Sequence, residues 1–355
     1  MVPPLNVAFE EATRITPQGD NQYTVDLKTE WCIGTVPHGG YTTAVLYKTA
    51  IKHFEYAHPK QYDSPASPIS IQLAFLRRTL AGPATILVED VKIGLRTSTI
   101  HIKLLQGSEK KKGEQEVKIS GYITVSPPSA EVGLSAPSGW ELTPAAPPGT
   151  LANGGVNFEA LGRTGRDGLW TRTLPPFPEF RRAATHLEVY RPVKVEAGQG
   201  LPQSVIEQSN KFEEERGEKL IGDQWARFRP GQDEKGRWTD AAVVYLTDMF
   251  PMMLDGLDRA SKSAMAKAEK TSEEGIKASF WYPTVTLNID MKKHLPAEGV
   301  EWLFSRVVIT SVRNGRTDLN VIILDEKGEV VAISTQVGLV VSASRNLGSR
   351  KMQKL

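Results

Sequence analysis

An aspartate on the apolar face of a helix is the first position in this sequence that could do chemistry. Residues 239–254 read TDAAVVYLTDMFPMML, and Ala241, Val244, Tyr245, Asp248 and Met252 fall at i, i+3, i+4, i+7 and i+11. That spacing predicts a buried stripe with a carboxylate in it. A carboxylate taken out of water without partners costs several kcal/mol or moves its pKa upward. Aspartate is also a mediocre helix former. A residue that breaks two local rules at once is a candidate for a site. The plainer alternative is a partly exposed aspartate at the helix edge, or one held by a structural hydroxyl. Pro251 disturbs the helix three residues later, which can shift the face.

The second candidate region is His38-Gly39-Gly40-Tyr41. Residues 38–56 (HGGYTTAVLYKTAIKHFEY) predict a helix opened by glycines, with Tyr41, Ala44, Val45 and Lys48 at helical spacing on a mostly apolar face. The two glycines let a substrate approach the backbone closely, or simply make a tight turn into the helix. His38 beside them could face a substrate. The six histidines (His38, His53, His58, His101, His186 and His294) show no metal-ligand spacing, so no metal or cofactor is expected. Phosphate-binding Gly-x-x-x-x-Gly-Lys, nucleophile-elbow Gly-x-Ser-x-Gly and dinucleotide fingerprints are all missing from the sequence.

The elements that must position these residues come in two similar series. In the first, Tyr23–Leu27 alternates as a strand would, the helix follows, and after the Pro65-to-Pro68 turn come β-rich stretches at 69–76, 84–93, 99–105 and 117–125. Strand, helix, then several strands points to an antiparallel sheet around one helix. Residues 127–150 hold Pro127, Pro128, Pro137, Pro144, Pro147 and Pro148, a density that excludes a helix or a central strand. This linker is expected to run on to about 180 as irregular chain over the surface. The second series has strands at 185–190 and 224–228, the helix near Thr239, a polar insertion at 259–277, and strands at 284–291, 301–312, 317–324 and 330–341.

The two series can be put in register. Tyr41–Val45 matches Ala241–Tyr245, Arg77-Arg78 matches Lys292-Lys293, and Arg96-Thr97 matches Arg316-Thr317, the offset growing as an insertion at 259–277 requires. The correspondence is of element order, and it predicts a duplicated domain. The boundaries expected are 1–126, a proline-rich linker 127–180, and 181–345. In this register the counterpart of Asp248 is Lys48, so one working site is expected, in the second half, with the first half closing the pocket.

Bulk composition narrows the class. The chain has 355 residues, 40% hydrophobic and 24% charged, as for a folded globular protein, and room for two domains. A formal charge of +2 with scattered cations carries no nucleic-acid footprint. Cys32 is the single cysteine, so intramolecular disulfides are impossible, a reducing compartment is expected, and a small buried side chain is the better reading of it. No apolar run reaches the length of a membrane-spanning helix, and MVPPLNVAFEE lacks the features of a secretory signal. A cytoplasmic protein is the expectation. The final Gln353-Lys354-Leu355 resembles the peroxisomal Ser-Lys-Leu signal and makes the peroxisome the alternative.

The run Trp31-x-Ile33-Gly34-x-Val36-Pro37-His38-Gly39-Gly40-Tyr41 resembles the entry to the first helix of thioesterase-like double-hotdog proteins. Phe75-Leu76-Arg77-Arg78 with Gly82-Pro83 resembles the strand and turn that follow there. Thr284-Val285-Thr286, Trp302-Leu303, Gly315-Arg316, Asp325-Glu326-x-Gly328 and the stretch 332–336 resemble the C-terminal hotdog. The resemblance covers about 5–126 and 180–342 and is to acyl-CoA thioesterase II and its relatives. It implies an α+β fold, a tandem (double) hotdog with antiparallel sheets each wrapped around a central helix. It implies hydrolysis of acyl-CoA or carrier-bound acyl thioesters by a water held by an Asp, a Thr and a Gln. By position these are Asp248, Thr284 (or Thr286) and Gln336.

Within that chemistry Asp248 would be the base and Thr284 and Gln336 would hold the water, with helix N-termini offering N–H groups to the carbonyl oxygen. His38, Gly39, Gly40 and Tyr41 would line the substrate, and Arg77-Arg78 and Lys292-Lys293 could meet phosphates. The rival readings are a hotdog dehydratase or isomerase, whose Asp and His pair is not seen here, and a non-catalytic acyl-binding protein. A homo-oligomer is a further expectation.

Overall fold

The computed structural model describes residues 7–147 apart from 20, 110 and 112, then 155–193, 220–249 apart from 234, 278–347, and single positions at 203, 206, 207, 210, 211, 214, 253 and 254. The insertion expected at 259–277 and the C-terminal tripeptide lie outside these residues.

Fifteen strands form one sheet. The first half supplies β1 (Ile15–Gly19), β2 (Gln22–Leu27), β5 (Ser67–Phe75), β6 (Gly82–Lys92), β7 (Ser98–Gly107) and β8 (Gln115–Ser126), with a separate two-stranded ribbon of β3 (Cys32–Ile33) and β4 (Val36–Pro37). The second half supplies β9 (Arg166–Asp167), β10 (Trp170–Thr173), β11 (Leu187–Pro192), β12 (Ile221–Phe228), β14 (Thr284–Met291), β15 (Trp302–Val308), β16 (Val312–Arg313), β17 (Arg316–Leu324) and β18 (Val330–Leu339). A second small ribbon joins β13 (Phe280–Trp281) to β19 (Val341–Ser342).

Along the main sheet the order is β1-β2-β6-β7-β8-β5, then β14-β18-β17-β15-β12-β11-β10-β9. Read outward from the seam between β5 and β14, β8 answers to β18, β7 to β17, β6 to β15 and β2 to β12. This is the expected double hotdog, written in strand order. The seam is antiparallel, from Thr286↔Ala74 to Asp290↔Ser70.

Alternation on these strands sets what they bury. On β7, Ile100, Ile102 and Leu104 turn inward; on β17, Leu319, Val321 and Ile323 do. They meet the helix Gly39–Ala57 and the shorter helix Asp240–Leu246, which pack against each other inside the curved sheet. The resulting core is one continuous apolar cluster that spans both halves.

Two expectations are corrected. The stretch before 180 is not irregular: it holds the helix Phe158–Thr164 and strands β9 and β10. Asn157 caps that helix on Ala160 N at 2.9 Å, and Gly165 ends it at φ 75°. Leu142, Leu161 and Trp170 pack there against Trp225, Trp302 and Phe304, which point away from the helices. Large apolar side chains scattered among the prolines thus cover the outer face of the second half of the sheet. The strand expected at 185–190 begins instead at Leu187, after a 3₁₀ turn Arg182–His186.

Candidate active site

The helix Asp240–Leu246 stops earlier than its apolar stripe predicts, and Asp248 stands on the turn beyond it. Its N–H contacts Tyr245 O at 3.4 Å and Met249 N bonds Leu246 O at 3.1 Å, the tightened pattern of a helix end. The carboxylate is 2% exposed. Oδ1 accepts from Thr284 Oγ1 at 2.8 Å and Oδ2 from Gly40 N at 2.8 Å. The carboxylate therefore bridges the first residue of β14 and the N-terminus of the long helix of the other half. A helix N-terminus favours negative charge there.

Glycine at 39 and 40 is what permits this approach. A Cβ on Gly40 would stand 2.5 Å from Tyr245 O and 3.1 Å from Asp248 Cβ, and one on Gly39 would stand 2.5 Å from Asp248 Oδ2. The glycines thus make room for the protein's own acid, a role the sequence did not suggest. At this helix N-terminus the Gly40 N–H is given to that acid and not left for a substrate carbonyl.

Gln336 lies on β18, 3% exposed, opposite Leu287 of β14. Its Oε1 is 3.5 Å from Thr284 Oγ1. The threonine has one hydroxyl proton, and the 2.8 Å bond to Asp248 takes it. Gln336 Nε2 is buried with no protein partner. A β-bulge separates Thr284 from Thr286, so the two do not share a register, and it is the Thr284 hydroxyl that reaches Asp248.

His38 Nε2 is 3.2 Å from Asp248 O and 3.5 Å from Oδ2, and its ring meets Tyr245 edge-on at 5.4 Å. The Asp and His pair not seen in the sequence is thus brought together by the fold, one residue from each half. Burial pushes His38 below the ordinary histidine pKa, against the pull of Asp248. The ring is therefore neutral, its Nε2–H donates to Asp248, and Nδ1 is a buried lone pair with no protein partner. Burial raises the pKa of Asp248, only partly opposed by His38, the Thr284 bond and the Gly40 bond. A carboxyl held above its usual range beside two unsatisfied polar atoms is suited to take a proton from water.

Tyr41 is not brought to this group. Its hydroxyl donates to Ala12 O at 2.7 Å and accepts from Lys28 N at 3.1 Å, so the substrate contact expected of it is replaced by a structural one in the first half. Phe75, which sequence reasoning passed over as a strand end, would lie 3.5 Å from a Cβ on Gly39. The basic pairs are engaged by carboxylates: Arg77 with Glu116, Arg78 with Glu109, Lys292 with Asp290, Lys293 with Asp325 and Glu329. Cys32 is fully buried, and burial pushes its thiol up to about 12, away from nucleophilic use.

Family models for the acyl-CoA thioesterase N-terminal and C-terminal domains match residues 27–126 and 173–340. The chain belongs to the acyl-CoA thioesterase family. Thioesterase-like protein TwmA of Talaromyces wortmannii is 30% identical to this thioesterase over 364 residues, covering 96% of this chain and 94% of its own. Acyl-CoA thioesterase II TesB2 of Mycobacterium marinum superposes with a TM-score of 0.56 at 18% identity, over 95% of this chain and 100% of the other. A hot dog fold protein from Alicyclobacillus acidocaldarius gives 0.60 at 17%, over 94% and 98%. These two share the fold. The family makes this chain an acyl thioester hydrolase in class. Among the described residues no helix is long and apolar enough to cross a membrane.

Proposed function

We propose that the chain hydrolyses acyl-CoA or carrier-bound acyl thioesters by direct attack of a water gripped by Asp248, Thr284 and Gln336. The carrying observation is the buried Asp248 carboxylate, held by Thr284 and Gly40, beside a Gln336 Nε2 with no protein partner. Gln336 donates to the water oxygen and Asp248 accepts a water proton. The oxygen bonds to the thioester carbon, the C–S bond breaks, and the thiolate leaves and recovers the proton. No covalent enzyme intermediate is formed. His38 Nδ1 offers an acceptor to a substrate N–H. The halves 1–126 and 181–345 act as one unit here, because the first contributes His38, Gly39 and Gly40 and the second the three groups around the water.

A panel of acyl-CoA thioesters offered to the wild type and to Asp248→Asn tests this. Thiol release by the wild type and its loss in the variant are expected. Tight binding without thiol release by either protein would replace the hydrolase with an acyl-binding module.

A further inference from the structure

At the opposite end of the long helix, about 20 Å from Gly39 by helix rise, a second polar cluster takes no part in the chemistry above. His53 lies on the last turn of the helix, His58 caps its C-terminus, and Asp90 comes from β6. His53 Nε2 is 2.9 Å from Asp90 Oδ1 and His58 Nε2 is 2.8 Å from Oδ2. The three donor atoms lie within 4.8 Å of one another, and no other such trio occurs among the described residues. We infer that His53, His58 and Asp90 form a binding site for a divalent transition-metal ion, with Zn²⁺ the physiological candidate.

The donor set is two imidazoles and one carboxylate, which suits Zn²⁺ with a fourth position left for water. Ligands at 2.0–2.2 Å from a tetrahedral ion stand about 3.4 Å apart, so the two nitrogen–oxygen pairs at 2.9 and 2.8 Å open by about 0.5 Å to admit the ion, while all three donor atoms already lie within 4.8 Å. His58 and Asp90, at 23% and 29% side-chain exposure, are open enough to move and to admit the ion, whereas His53 is fully buried and fixed. Outer-shell support is present: Tyr23 Oη is 3.0 Å from His53 Nδ1, and the Phe54 ring lies 5.6 Å from His53 and 5.5 Å from His58. Burial lowers the His53 pKa, so its ring is neutral. Burial alone would raise Asp90, but the bonds from the two histidines outweigh it and keep the carboxylate ionised.

The protons balance. With both Nε2 atoms turned to the carboxylate, each carries its proton toward an oxygen. The ion takes the place of those two protons, and the His53 ring stays neutral by moving its proton to Nδ1. At His53 the Tyr23 hydroxyl then accepts where it previously donated. The ion would pin the end of the helix to β6.

Calorimetric titration of the full chain, first stripped with a chelator, with Zn²⁺ tests the inference, and Co²⁺ supplies a d–d absorption signature. One-to-one saturable binding is expected, with a rise in Tm that follows Zn²⁺ concentration. Tyr23→Phe should weaken it about 10–100-fold, and His58→Ala or Asp90→Asn by more. Both of the latter lie at partly exposed positions, and their melting in chelator confirms folding. Hydrolysis should be unchanged by the chelator. Absence of saturable Zn²⁺ binding in the wild type, or equal affinity in folded His58→Ala and Asp90→Asn, would overturn the site and leave a hydrogen-bonded staple.

Discussion

The two hotdog halves share their strand order yet treat one aligned position, 48 and 248, in opposite ways. In the first half Lys48 turns outward, bonded to Glu10 at 2.5 Å and Thr13 at 3.0 Å. In the second, Asp248 turns inward and is enclosed. The helices differ to match: 19 residues run from Gly39 in one, and seven end at Leu246 in the other. The long helix presents its N-terminus just where the short one gives out, so the acid of one copy is held by the backbone of the other. Their outer faces differ as well. Trp225 and Trp302 are covered by the chain between the halves, whereas Leu87 and Tyr122 on the first half's strands stay exposed. Two similar scaffolds thus hold one enclosed acid, at the join between them.

Four substitutions would sharpen or break this contrast. Asp248→Asn removes the proposed base, and a loss of about 10²–10⁴-fold in kcat is expected with folding retained. Gly40→Ala forces a methyl toward Tyr245 O. It should cost about 1–3 kcal/mol in chemical denaturation and, by shifting Asp248 about 1 Å, reduce kcat about 10²-fold. Thr284→Val removes a bond that favours the carboxylate, so the Asp248 pKa should rise further. In the wild type, activity should climb as pH rises through a midpoint above the ordinary carboxylate value of about 4, because only the deprotonated acid accepts the proton. In Thr284→Val that limb should move to higher pH in a kcat/KM profile, and an unmoved limb would disconnect Thr284 from the acid. Lys48→Ala should change stability by less than about 1 kcal/mol and leave hydrolysis intact. A large activity loss there would mean that the halves are not as divided as their polar residues suggest.

Much of this was legible because it depends on local periodicity. Strand, helix and strand order follow from alternation and 3.6-residue spacing, and Asp248 stood out as a charge on an apolar stripe. What escaped depends on who meets whom across long sequence distances. Tyr41 looks free until Ala12 and Lys28 are seen to take both ends of its hydroxyl. Residues 155–180 look irregular until Leu161 and Trp170 find Trp225 and Trp302. Gly39 and Gly40 announce a close approach but not that the visitor is Asp248, some 200 residues on. His53 and His58 show no ligand spacing because their carboxylate arrives from β6.

The seam from Thr286↔Ala74 to Asp290↔Ser70 has a consequence for biosynthesis. The first half is complete at β8, but the partner of its β5 edge begins at Thr284, about 160 residues later. At roughly 5–20 residues per second, a nascent chain would carry an open strand edge for about 8–30 s. That edge, with Ile71 and Leu73 behind it, is a template for pairing with neighbouring chains. Slowing translation between the halves should therefore lower the yield of folded protein more than slowing it after Met291, and ribosome-associated chaperones should matter most during that interval.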